Sequence, residues 1–185
     1  MNIGIIGCGY VGLTTGICLS SIEHKSYLYD IDQKKLNSIK EEKLPFYELG
    51  LEELLIENLH KKKLIVSKNL EEFVQNTECC FVCVGTPSNS NGTIDLNQIE
   101  NSVKKIIEVL KYQIAKEYVI IIRSTVVPST TRNKIMPILT EDMQKRIKVV
   151  VVPEFLREGK ALVDFMNPDK IVIGTSNNEK NILVN

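Results

Sequence analysis

Three apolar runs rich in β-branched or aromatic residues fail to alternate with polar ones: CCFVCV at 79–84, YVIIIRS at 118–124 and KVVVV at 148–152. A strand exposed to water on one face would alternate, so runs like these belong to strands covered on both faces, which are characteristic of parallel sheets. Parallel neighbours need crossovers, and the intervening segments supply them. NIGIIG, SYLYD, LIVS and KIVIG complete a set of as many as seven strands, with helical patterns between most of them: YVGLTTGICLSSI, IDQKKLNSIKEE, LEELLIENL, NLEEFVQN, LNQIENSVKKIIEVL and TRNKIMPIL. Asp95 is placed to cap the helix beginning near Leu96. Pro137 should kink or end its own helix. The pattern predicts a doubly wound α/β, Rossmann-type sheet with helices on both faces. Ligands of such sheets bind beyond the carboxyl ends of the strands, so the residues there carry the functional argument.

At 185 residues the chain suits one domain across 1–185. The 23 basic and 23 acidic residues cancel, which removes any broad electrostatic case for nucleic acid or an anionic membrane surface. No apolar run approaches the roughly 20 residues of a membrane helix, and Met1 leads into Ile3, Ile5 and Ile6 without a signal-peptide pattern. The five cysteines, Cys8, Cys18, Cys79, Cys80 and Cys83, are odd in number and mostly lie in apolar segments. They read as buried thiols in a reducing cytoplasm, and the CxxC of Cys80 and Cys83 lacks the second pair that a metal site would need. His24 and His60 read as solvated, as does the run Lys61 to Lys63.

The first turn reads GCGYVG, so Gly7, Gly9 and Gly12 fit G-x-G-x-x-G between a strand and a helix. In that setting the first glycine permits the tight turn, the second lets a pyrophosphate approach the backbone, and the third lets the helix pack on the sheet. Asp30 ends the second strand at about the 20-residue spacing where an acid bonds the adenosine ribose and disfavours a 2′-phosphate. Asp32 is the competing acid, although it suits the cap of the next helix better. The fourth strand runs into Gly85, Thr86 and Pro87, where Thr86 either reaches a cofactor or belongs to a turn-rich polar loop. The fifth ends in Arg123, Ser124 and Thr125, and the sixth in PEFLREG. Thr125, Glu154 and Glu158 thus share one rim, as bases or water-positioning groups or, alternatively, with the carboxylates in a structural Glu–Arg pair.

Taken in order, IGIIGCGYVGLTTG, YLYDID, PFYELGLEELL, FVCVGTP, GTIDL, IIRSTVVPSTT, VPEFLREGKALVDF and NPDKIVIG resemble the N-terminal NAD-binding domain of the UDP-glucose 6-dehydrogenase family. The resemblance implies that Gly7, Gly9, Tyr10, Val11, Gly12, Asp30, Lys35, Thr86 and Thr125 form the NAD side, with Glu158 near the nicotinamide. It implies that Glu154, Phe155, Leu156 and Arg157 border the UDP-sugar, and that Thr125, Glu154 and Glu158 are catalytic, holding and activating water. The activity implied is oxidation of the sugar C6 alcohol to a carboxylate with two NAD, through a cysteine thioester, in polysaccharide biosynthesis.

The family's nucleophile lies in a later GGxCxxKD motif, which this sequence lacks, as it lacks the central dimerisation helix of the homodimeric full-length enzymes. A helix starting after Gly174 stops within about two turns, as if cut near 175. On this reading the chain alone is inactive, and a stand-alone NAD-binding module or a GDP-mannose or UDP-N-acetylhexosamine dehydrogenase are the alternatives. Leu49 and Lys170 depart from the family's usual proline and arginine.

Overall fold

In a computed structural model, residues 1–113 and 116–175 are described. The order is β1 (Asn2–Ile6), α1 (Tyr10–Ser21), β2 (Lys25–Tyr29), α2 (Gln33–Lys40), α3 (Leu51–His60), β3 (Leu64–Val66), α4 (Leu70–Asn76) and β4 (Cys79–Val82). There follow α5 (Asn97–Lys111), β5 (Tyr118–Ile122), α6 (Glu141–Arg146), β6 (Ile147–Val151) and α7 (Ala161–Met166). The six strands form one sheet in the order β3-β2-β1-β4-β5-β6, every neighbouring pair parallel. That is the doubly wound order expected, with its reversal between β1 and β4.

Burial explains the strand pattern. The interior residues of β1 and most of β5 are fully covered, whereas β2, closer to the edge, alternates. One core lies between the sheet and α4 and α5, around Phe73, Val103, Ile106, Leu110 and Tyr118. The other lies under α1, α2 and α3, around Leu13, Ile17, Leu36, Leu51 and Leu55. Helix starts follow local chemistry: Asp32 accepts from the Lys34 and Lys35 N–H groups, and Asn69 from that of Glu72. Asp95 accepts the Asn97 N–H at 2.8 Å, so its helix begins one residue later than expected.

Two expectations are corrected. TRNKIMPIL forms a π-type turn at Thr131–Ile135 followed by a 3₁₀ turn at Met136–Ile138, rather than an α-helix. Pro137 has no N–H to give to Asn133, and its ring crowds that carbonyl. KIVIG is not a seventh strand among the described residues; it makes a single antiparallel bridge, Gly174 to Val151, closed by bonds of 2.7 and 2.9 Å. Continuing that ladder would pair Val172 with Pro153, which has no hydrogen to donate. Ile171, Val172 and Ile173 therefore leave the sheet exposed. The two short helices α6 and α7 had no sequence signal strong enough to register. The helix expected after Gly174 lies outside the described residues.

Candidate functional site

The carboxyl ends of β1, β2, β4 and β5 open into a cleft of about 670 Å³, which also touches Glu154 beyond β6. Gly7 turns the chain out of β1 at φ +92°, and a side chain there would meet the Cys83 carbonyl at 2.8 Å. A Cβ on Gly12 would sit 1.9 Å from the Gly7 carbonyl oxygen, so α1 packs on its own loop at a distance only glycine allows. A Cβ on Gly9 would meet nothing within 4 Å; that space is open cleft. Helix α1 begins there with no side-chain cap and no acid in its first turn. Its free N–H groups and dipole are therefore left for an anion. Loop, open cradle and uncapped helix fit a dinucleotide pyrophosphate.

Asp30 is buried at the lip of β2. Its Oδ2 accepts the Cys8 N–H at 2.7 Å, its Oδ1 accepts the Asp32 N–H at 2.9 Å, and Lys35 Nζ stands 4.0 Å from Oδ2. The carboxylate thus braces the glycine loop while lining the cleft. Tyr10, Val11, Lys35, Thr86 and Thr125 line it as well. Ser124 Oγ donates to the Val84 carbonyl at 2.6 Å, holding the Thr125 turn to the Thr86 turn. Desolvation, and then the hydrogen bond to Glu48, push the Tyr10 phenol up to about 12. The wall from α5 was not foreseen: Gln98, Asn101, Ser102 and Lys105 complete the cleft. Their one sequence signal was a polar stripe at helical spacing opposite Ile99, Val103 and Ile106.

A second cleft of about 390 Å³ adjoins the first, and Phe155, Leu156 and Arg157 line it. Arg123 and Glu154 belong to both. The Arg123 guanidinium lies 5.8 Å from the ring centres of both Phe81 and Phe165, and its buried Nε has no hydrogen-bond partner among the described residues. Burial lowers the Arg123 pKa, while Cys83 and Glu154 oppose that shift. Arg123 was also missed, although a charge at the end of an unbroken apolar strand was a visible sign.

The structural Glu–Arg pair considered for PEFLREG does not form. Arg157 makes a two-pronged contact with Asp164, at 2.6 Å to Oδ1 and 3.0 Å to Oδ2, and that bond holds the Asp164 carboxyl down at about 2. Glu154 Oε2 instead accepts the Leu156 N–H at 2.6 Å. Glu158 is exposed on the turn and lines neither cleft, though its charge is felt at Tyr10. Lys170 places its ammonium 4.6 Å from the centre of the Phe155 ring.

All five cysteines are free thiols. Burial pushes Cys79 up to about 11, Cys18 and Cys83 to about 12, and Cys8 and Cys80 higher still. Only the thiolate is nucleophilic. Iodoacetamide at pH 8, read out cysteine by cysteine by mass spectrometry, should therefore leave these five unmodified in the native protein and label them all in denaturant. Labelling should rise only as the pH approaches 11, beginning with Cys79. Rapid labelling of Cys83, half-buried in the cleft wall, at pH 8 would contradict its raised pKa.

A sequence profile described as the UDP-glucose/GDP-mannose dehydrogenase family, NAD binding domain, matches residues 1–185. A UDP-glucose 6-dehydrogenase of Rickettsia bellii is 37% identical over 179 residues, which are 97% of this chain and 40% of that protein. A GDP-mannose 6-dehydrogenase of Pseudomonas syringae pv. syringae is 39% identical over 178 residues, 94% of this chain and 40% of that one. Among solved structures, a ternary complex of a GDP-mannose dehydrogenase from Pseudomonas aeruginosa superposes with a TM-score of 0.90 at 34% identity, covering 95% of this chain and 41% of that one. The chain spans about 40% of the length of the curated relatives it matches.

Proposed function

The chain belongs to the UDP-glucose/GDP-mannose dehydrogenase family as its NAD-binding domain, and from that premise we propose that it serves an enzyme oxidising UDP-glucose at C6 to UDP-glucuronate. The observation that carries this reading is the pair of adjoining clefts sharing Arg123 and Glu154, one with a dinucleotide cradle and one beside the PEFLREG loop. An alcohol taken to a carboxylate gives up four electrons as two hydrides, so two NAD molecules, held in turn by the residues of this cleft, would each accept one per sugar. Gly7, Gly9, Tyr10, Val11 and Gly12 hold the pyrophosphate end, Asp30 and Lys35 the adenosine ribose, and Thr86 and Thr125 the nicotinamide end. Phe155, Leu156 and Arg157 border the sugar nucleotide.

Glu154 and Thr125 hold the water. Leu156 occupies Glu154 Oε2, leaving Oε1 to take its proton. Glu158 is the second carboxylate of the pair, on the outer turn of the same loop. The thiol that retains the aldehyde is none of these five cysteines, so residues 1–185 alone should bind NAD without sustained turnover. This reading carries with it a cytoplasmic, homodimeric full-length enzyme whose product is a glycosyl donor for polysaccharide biosynthesis. Among the described residues no helix is long and apolar enough to cross a membrane.

A second reading keeps the chemistry and changes the sugar to GDP-mannose, favoured by relatives of that activity at 39% identity. The full-length protein assayed with both nucleotide sugars decides between them. We expect two NADH per UDP-glucose consumed, and kcat/KM at least about tenfold lower with GDP-mannose, a difference of roughly 1.4 kcal/mol. The reverse preference establishes the second reading. NAD binding without NADH formation from any nucleotide sugar would leave a binding module.

A further inference from the structure

We infer that Glu48 is a positioning residue that ties the loop bearing Glu154 to the N terminus of α1, so that filling the dinucleotide cleft orders that loop; the inference rests on the function proposed above. Glu48 sits in the connection between α2 and α3, outside the sheet, and is only 3% exposed. Both of its bonds converge on one oxygen. Oε2 accepts the Tyr10 hydroxyl at 2.5 Å and the Gly159 N–H at 2.9 Å. Tyr10 belongs to the dinucleotide cleft, and Gly159 closes the loop whose Glu154 lines both clefts.

A buried carboxylate is costly to keep out of water, and its cost is usually offset by a cation. Among the described residues no lysine, arginine or histidine forms an ion pair with Glu48. Two neutral donors hold it, one from the first residue of α1 and one from the loop after β6, far apart in the chain. Phe46 packs its ring 4.8 Å from that of Tyr10, so the phenol is held from the side. Gly50, at φ +79°, brings the same connection against Leu162 of α7.

The loop has few other side-chain anchors. Glu154 bonds Leu156 and Arg157 bonds Asp164, both within 154–164. Beyond those, Lys170 stands over the Phe155 ring, and the Tyr10 hydroxyl approaches the Arg157 carbonyl at 3.4 Å, again from the same phenol. A ligand that fixes the first turn of α1 therefore fixes Tyr10, then Glu48, then the backbone of Gly159. Coupling of this kind runs through a contiguous set of bonds and reports as a change in loop order on binding.

Hydrogen exchange by mass spectrometry on the full-length protein, with and without NAD, tests it in the wild type, in Glu48→Leu and in Tyr10→Phe. Glu48→Leu keeps bulk but removes the acceptor that both bonds share; Tyr10→Phe leaves the Glu48–Gly159 bond in place. In the wild type NAD should slow exchange across both 7–12 and 154–160. In either variant the slowing at 7–12 should remain while that at 154–160 falls about fivefold or more, and in the Glu48 variant kcat should fall about tenfold with the NAD dissociation constant nearly unchanged. Full slowing at 154–160 in both variants, or a lower melting temperature alone, would overturn the role of Glu48. A wild type slowed at 7–12 but not at 154–160 would do so too. No slowing at 7–12 in the wild type would overturn the cofactor assignment and this inference with it.

Discussion

Gly12→Ala is expected to remove NAD binding and to lower the melting temperature by about 6–12 °C, whereas Gly9→Ala should leave stability nearly unchanged and weaken NAD alone. The added methyl at residue 12 would lie 1.9 Å from the Gly7 carbonyl oxygen, a backbone atom that no rotamer change can move. Helix α1 must back away from β1, an overpacking penalty of about 3 kcal/mol, equivalent to several degrees in a domain of this size. The methyl at residue 9 instead enters open cleft and meets nothing of the protein within 4 Å. Only a ligand would feel it, with affinity falling about tenfold, or roughly 1.4 kcal/mol. Differential scanning fluorimetry with calorimetric titration separates the two effects. A Gly9→Ala protein with unaltered NAD affinity would move the pyrophosphate away from the cradle.

The second large effect concerns the choice between cofactors. The wild type should bind NAD at least about 100-fold more tightly than NADP, because a 2′-phosphate would lie against the Asp30 carboxylate and like charges brought together cost several kcal/mol. Asp30→Ala should collapse that ratio toward unity, helped by Lys35, which stands 4.0 Å from the carboxylate. It should also cost stability, since the Cys8 and Asp32 N–H groups lose their acceptor, at about 1–3 kcal/mol for each that stays buried and unpaired. Comparable NAD and NADP affinities in the wild type would dissociate Asp30 from the ribose.

The parts legible in the sequence were those governed by near neighbours or by periodic patterns. Unbroken β-branched runs revealed β5 and β6, and strand, glycine loop, helix and acid together located the dinucleotide cleft. KIVIG has the composition of a strand, yet whether it pairs depends on Pro153, seventeen or more residues away in the chain and adjacent only across the sheet edge. Glu48 sits in PFYELG, a segment that reads as turn formers. Its partners are 38 and 111 residues distant, and no local spacing encodes a bond of that reach. Arg157 was visible as a charge, but its partner Asp164 emerged only once α7 folded back over the loop.

The order of the sheet also bears on how the chain is made. Of the six strands described, β1 leaves the ribosome before the others and ends up in the middle, with β2 on one side and β4 on the other. Lys25 to Tyr29 can dock on it early, but the other side of Ile3 to Ile6 must wait for Cys79 to Val82. Until then the nascent chain carries a bare, apolar strand edge, the kind of surface that recruits a wrong partner. Biosynthesis therefore passes through an interval in which the future floor of the dinucleotide cleft is its most adhesive surface, and slow translation between Leu64 and Cys79 would lengthen that interval.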